Sequence, residues 1–302
     1  MAKTRDESLY LCNNCGAKSH KWVGQCAICG TWNSLDLSRS GVGTLQQSPV
    51  NQGPQKLSDV PTGGTKRYQI GLTELDRVLG GGIVPGSVVL LGGEPGIGKS
   101  TLALQALGML SASYETLYIS AEESLEQLAL RYQRLGLDKQ ELHALCDGRL
   151  ENILGELDNR DYKVLVVDSV QTLSTQTLDS GPGSVGQVRE CAERLVAEAK
   201  RRGIAFILIG HVTKEGALAG PKTLEHLVDT VLYFEGDATS RYRLDRAWKN
   251  RFGSANEVGV FAMTTSGLMP VKNPSAIFLS GAKILSPGTA VFASQDGSRP
   301  ML

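Results

Sequence analysis

Three features of this sequence predict an α/β fold with a mostly parallel sheet: short apolar runs lacking strict alternation, helix-length segments between them, and a glycine-rich loop joining one such run to one such helix. A strand whose neighbours carry helices on both faces is buried all round, so it reads as a continuous apolar run. The runs at 88–91, 116–120, 163–168, 205–210 and 228–235 have that character. The segments 99–110, 125–135 and 185–200 lie between them and carry apolar residues at helical spacing. Strand and helix therefore alternate from residue 88 onward, the order from which crossover units are built.

The chain has 302 residues, 41% of them hydrophobic, which suffices for one full-sized core and a smaller appendage. Lys plus Arg and Asp plus Glu both number 31, so the net charge is zero and no global field draws the molecule onto nucleic acid. Any such contact is expected to be local. No apolar run reaches the ~20 residues of a membrane span, and the polar start, MAKTRDES, lacks a signal-peptide core; a cytoplasmic protein with no membrane partner is expected. Three regions precede the end of the chain: a cysteine module at 1–35, a Ser, Gly, Gln and Pro-rich linker at 36–66, and the α/β domain at 67–272.

In a reducing compartment six cysteines point to metal before disulfides. Four of them form two pairs, Cys12-x2-Cys15 and Cys26-x2-Cys29, each followed by a glycine, Gly16 and Gly30. Two residues between thiolates let one tight turn present both sulfurs to a single ion, and four thiolates suit a closed, structural Zn²⁺ site. So small a module cannot fold on apolar burial, so the metal is expected to supply much of its folding free energy. Lys18, His20, Lys21, Trp22 and Trp32 would form a basic, aromatic binding surface or simply cover a minimal core. Cys191, at helical spacing with Val188, Leu195 and Val196, reads as a small buried hydrophobe, and Cys146 has no expected role.

The glycine-rich loop is Gly93-Glu94-Pro95-Gly96-Ile97-Gly98-Lys99-Ser100, followed by Thr101, a full GxxxxGK[ST] between strand and helix. Such a loop turns its amides toward phosphate oxygens, while Lys99 neutralises the β and γ phosphates of ATP and the Ser100 hydroxyl sits on Mg²⁺. Asp168, ending the run Val164-Leu165-Val166-Val167, is the candidate for the metal's water shell. Glu122 and Glu123 follow the strand at 116–120 at the same sheet edge; one is expected to activate water, the other reading being acidic first-turn residues of the next helix.

These motifs together resemble the RadA (Sms) family of bacterial DNA-repair proteins, relatives of RecA with hexameric-helicase features. The resemblance also runs through Leu79-Gly80-Gly81-Gly82, Val84-Pro85-Gly86, Ser120-Ala121-Glu122-Glu123-Ser124, Asp168-Ser169-Val170-Gln171-Thr172, Gly210-His211-Val212-Thr213-Lys214-Glu215-Gly216 and Lys249-Asn250-Arg251-Phe252-Gly253. It implies a RecA-like P-loop ATPase core preceded by the zinc module. It favours Glu122 over Glu123 as the water-activating residue and makes His211 a sensor of nucleotide state. Lys249 and Arg251 become fingers that reach a neighbouring subunit's nucleotide in a ring, a hexamer in the full-length family. The loops 176–187 and 212–222 occupy DNA-loop positions, with Lys214 and Lys222 as candidate contacts. On composition alone the basic stretch 241–253 would instead be a charged edge strand turning at Gly253.

Family members continue into a Lon-protease-like domain, which residues 273–302 would begin. The function implied is a DNA-dependent ATPase that moves on single-stranded and branched DNA and promotes branch migration in recombinational repair, beside a RecA-type recombinase. The competing reading is an ATP-driven switch or scaffold that acts through protein contacts without translocating on DNA.

Overall fold

The computed structural model describes residues 9–38, 56, 66–211, 221–236, 240–274, 294–296 and 299–301. The first unit is a ribbon of three antiparallel strands, β1 (Leu9–Cys12), β2 (Lys18–Ser19) and β3 (Leu35–Ser38), with β1 in the middle. Among the described residues its buried apolar cluster is Cys12, Cys26 and Leu35, with Leu11 of β1 also buried. Trp22 and Trp32 do not cover that cluster. They are 55% and 68% exposed, which sets aside the expectation that they shield a minimal core.

After α1 (Thr73–Val78), the main unit alternates as expected: β4 (Val88–Gly93), α2 (Lys99–Leu110), β5 (Thr116–Ser120), α3 (Leu125–Arg134), β6 (His143–Cys146), α4 (Leu150–Glu156) and β7 (Val164–Asp168). A 3-10 turn, Val170–Thr172, leads on to α5 (Val185–Arg202), β8 (Ala205–His211), α6 (Pro221–Leu224) and β9 (Thr230–Glu235). Three antiparallel strands complete it: β10 (Tyr242–Asn250), β11 (Val258–Thr264) and β12 (Gly267–Pro270). The sheet order is β12-β11-β10-β9-β4-β8-β7-β5-β6, with β9 through β6 parallel. A separate hairpin, β13 (Ser294–Asp296) with β14 (Arg299–Met301), lies in the region 273–302.

Strand periodicity divides the core in two. Val89 and Leu91, Tyr118, Val164 and Val166, and Ile207 and Ile209 face α1, α2 and α3. Their alternates, Val88 and Leu90, Leu117 and Ile119, Leu165 and Val167, and Phe206 and Leu208, face α4 and α5, where Cys191 is fully buried. Successive side chains of a strand point to opposite faces, so a run apolar at every position needs helices on both.

Two alternatives from sequence are corrected. The segment with Lys249 and Arg251 is not an edge strand: β10 is hydrogen bonded to β9 on one side and β11 on the other. Burial alternates along it, with Arg243, Asp245 and Ala247 inward and Trp248 outward at a register shift, so two of its charged residues are buried in the sheet's interior. Glu122 and Glu123 do not belong to the first turn of α3. That helix starts at Leu125 behind Ser124, whose hydroxyl accepts from the Gln127 amide while the Gln127 side chain accepts from the Ser124 amide, a reciprocal cap.

The loop 212–220, including Lys214, lies outside the described residues, as does most of the linker expected at 36–66. Lys222 lies on α6, with its side chain outside the described set.

Candidate nucleotide site and zinc centre

The carboxyl ends of β4, β5, β7 and β8 meet along one edge of the sheet, where a doubly covered parallel sheet leaves a crevice for ligands. At Gly93, the end of β4, an added Cβ would collide with the Phe234 carbonyl oxygen, so only glycine lets the loop leave the strand there. Gly96, at φ 76°, faces open space, the room a phosphate requires beside main-chain amides. Lys99 is 3% exposed, and its Nζ donates to the Gly93 and Glu94 carbonyl oxygens at 2.8 Å each. Burial lowers the Lys99 pKa to about 8, against the opposing pull of Asp168 and Glu122. Beneath the loop, buried Arg243 donates from Nε to the Ile97 carbonyl oxygen at 3.0 Å.

Asp168 ends β7 and is 7% exposed; its Oδ2 accepts the Tyr118 hydroxyl at 2.6 Å. The peptide to Ser169 is cis. The Ser169 hydroxyl donates to Glu122 Oε1 at 2.6 Å, and His211 Nε2 lies 3.5 Å from the same oxygen. His211 is opposite Gly93 in the β4–β8 register, and its Nδ1 is buried with no hydrogen-bond partner among the described residues. Its carbonyl accepts from Gln171 Nε2 at 3.1 Å, joining the turn after Asp168 to the end of β8. Glu123 points elsewhere, into an ion pair with Arg131 of α3. The Ser100 hydroxyl and the Asp168 carboxylate are hard oxygen donors, the kind of group that Mg²⁺ takes.

Lys249 and Arg251 lie at the other end of the sheet. Lys249 Nζ donates to the carbonyl oxygens of Glu225 and Val228 at 2.6 and 2.7 Å, and Arg251 Nη1 reaches Asp229 Oδ1 at 2.9 Å. Asp229 Oδ2 in turn accepts from the Val88 amide at 3.1 Å, at the start of β4. From Val88 to Gly93 a parallel strand rises about 16 Å.

In the ribbon, Cys12 and Cys29 sulfurs are 3.6 Å apart, as are those of Cys15 and Cys26, and all four lie within 4.8 Å of one another. Zn–S bonds of about 2.3 Å in a tetrahedron put sulfurs about 3.8 Å apart, so the set fits Zn²⁺. Gly16 and Gly30 sit at φ 70° and 71°, where each turn closes through an amide donating to the Cys12 or Cys26 carbonyl. Hydrogen bonding by Thr31 pulls the Cys29 thiol down to about 5, whereas burial pushes the Cys15 thiol up to about 12.

A family model described as KaiC, an ATPase, matches residues 68–150, and a rubredoxin metal-binding-domain model matches 10–36. Over its full length the chain is 50% identical to DNA repair protein RadA of Pseudomonas aeruginosa, of which it covers 67%. It is 46% identical to the Escherichia coli protein of that name, over 97% of this chain and 66% of the relative. With that of Bacillus subtilis it shares 45% over 100% of the chain and 67% of the relative. The chain belongs to the RadA family. It spans about two thirds of the length of these curated relatives. A solved structure described as an ATPase domain is similar in fold, with a TM-score of 0.60 at 14% identity, over 70% of this chain and 93% of that one.

As a RadA-family ATPase with a RecA-like core, the molecule brings Lys99, Asp168, Glu122 and His211 to one sheet edge and holds Lys249 and Arg251 at the other. Three neighbours of the RadA-family site were not expected from the sequence: Tyr118, Ser169 as a partner of Glu122, and Arg243. The tyrosine carried a signal: a phenol in mid-strand, two residues short of the strand's end, must find a polar partner along its own face. No helix among the described residues is long and apolar enough to cross a membrane.

Proposed function

We propose that this chain is a cytoplasmic, DNA-dependent ATPase that works on single-stranded and branched DNA and promotes branch migration in recombinational repair. The observation that carries the reading is the separation of the two cationic sets. Lys99 serves the phosphates at one sheet edge, whereas Lys249 and Arg251, about 16 Å away along β4, serve a nucleotide held by another copy of the chain. A ring, in the family a hexamer, supplies that geometry.

In this reading the residues Gly93, Glu94, Pro95, Gly96, Ile97 and Gly98 wrap the phosphates, with Lys99, Ser100 and Thr101 at the helix start. Ser100 and Asp168 hold Mg²⁺, which when bound neutralises phosphate charge. Glu122 accepts a proton from the attacking water, and Ser169 fixes the carboxylate by its 2.6 Å hydrogen bond. His211, between Glu122 and the following loop, passes nucleotide state to residues 212–222, where Lys214 and Lys222 contact DNA phosphates. The relatives' name supports repair as the process, and a RecA-type recombinase is the expected partner on DNA.

The test is ATP turnover with and without single-stranded DNA, for this chain and for Lys99→Ala and Arg251→Ala. DNA should stimulate turnover, and both substitutions should abolish the stimulated rate. Turnover indifferent to DNA would remove the motor and leave the nucleotide switch acting through protein contacts.

A further inference from the structure

The geometry points to Tyr118 as a positioning residue that sets how tightly the nucleotide site holds its divalent cation. The inference rests on the reading of Asp168 as the carboxylate that faces that cation.

Tyr118 lies on β5 opposite Val166 of β7, and Asp168 is two residues further along β7 on the same face. Two residues of strand rise about 6.6 Å, close to the reach of a phenol from its Cα, so the hydroxyl arrives at the carboxylate with the ring still in the core. Tyr118 is fully buried, packed on the face covered by α2, and a phenol taken from water needs a partner. The partner is Asp168 Oδ2, at 2.6 Å, the length of a strong bond from a hydroxyl to a charged oxygen.

The bond fixes the carboxylate plane. With Oδ2 held by the tyrosine, Oδ1 is left for the cation's shell. Groups behind a metal-facing carboxylate restrict its rotation and tune its basicity, and their loss commonly weakens metal binding tenfold or more. Among the described residues no other side chain donates to Asp168, so removing the hydroxyl releases both the rotation and the charge of the carboxylate.

Tyr118→Phe and Tyr118→Leu both remove the hydroxyl and keep an apolar side chain in the core. Mn²⁺ binding to the full chain with ADP, followed by electron paramagnetic resonance, should weaken about tenfold in each variant. Half-saturating Mg²⁺ for turnover should rise by the same factor, with the ATP KM at saturating Mg²⁺ unchanged. A residue that only supports the fold would lower the melting temperature and leave the Mn²⁺ affinity alone, which would overturn the inference. Asp168→Asn separates the two levels: if it weakens Mn²⁺ binding and the Tyr118 variants do not, the tyrosine role is wrong and the Asp168 reading stands. Unaltered Mn²⁺ binding in Asp168→Asn would sink both.

Discussion

Asp245 is a carboxylate in the core. It sits on the inward face of β10, opposite Phe234 and Gly259, fully buried, and neither oxygen has a hydrogen-bond partner among the described residues. Burial, reinforced by Glu235, raises its pKa from 3.8 to about 8. The folded chain therefore binds a proton that the unfolded chain releases above about pH 4, so stability falls as pH rises through the window from about 4 to 8 and levels off beyond it. Asp245→Leu should flatten that slope and raise the unfolding free energy at pH 8 by roughly 3 kcal/mol or more, since an unpaired buried charge is replaced by an apolar group of similar size. Urea unfolding at several pH values checks both. A parallel shift at every pH would mean that Asp245 is ionised in the native state. At the nucleotide edge, the two adjacent glutamates should separate in the same way. Glu122, bound by Ser169 and facing His211, should lose about 10²–10⁴-fold in turnover as Glu122→Gln. Glu123, engaged by Arg131, should keep turnover within a few-fold as Glu123→Gln. Single-turnover hydrolysis measures both.

At the scale of elements, the ribbon and the sheet depend on different forces. Among the described residues the ribbon's buried apolar side chains are Leu11, Cys12, Cys26 and Leu35, far short of what chain entropy demands, whereas the sheet has an apolar core on each face. Chelation of Zn²⁺, or Cys15→Ser, should therefore release amide protection across 9–38 while β4, β7 and β8 stay protected in hydrogen exchange. The helix α3 offers a finer test. Ser124→Ala removes the side-chain half of its cap and should cost about 1 kcal/mol without moving the Mn²⁺ affinity. The elements legible in the sequence were those buried on both faces: α2 and β5 begin and end where the apolar pattern placed them, and β4, β7 and β8 differ only at their ends. The strand β6 was hidden because it is four residues long with Ala144 and Cys146 exposed, and β10 looked like an edge because charged Arg243 and Asp245 occupy its buried positions. Sequence spacing placed Lys99 and Asp168 through motifs. It was silent on what holds Lys249 and Arg251, because their partners are the main chain at Glu225 and Val228 and the side chain of Asp229, brought close only by β9–β10 pairing.

For the whole molecule, the separation of the phosphate loop from Lys249 and Arg251 makes the site's completeness a question of copies. A chain carrying Lys99→Ala keeps both fingers, and one carrying Arg251→Ala keeps its phosphate loop. If each nucleotide is shared between neighbours, neither variant is active alone, but an equimolar mixture rebuilds intact interfaces where the loop of one variant meets the finger of the other. Random assembly gives such an interface at roughly a quarter of positions, so the mixture should recover roughly a quarter of the unsubstituted rate after subunit exchange. Recovery should depend on protein concentration, because it requires association. A mixture as inactive as its parts would mean that each chain uses its own Arg251, which requires that arginine to leave Asp229 and cross from one sheet edge to the other. Along a strand that rises about 16 Å between those edges, a side chain cannot do so without unpairing the end of β10 from β9.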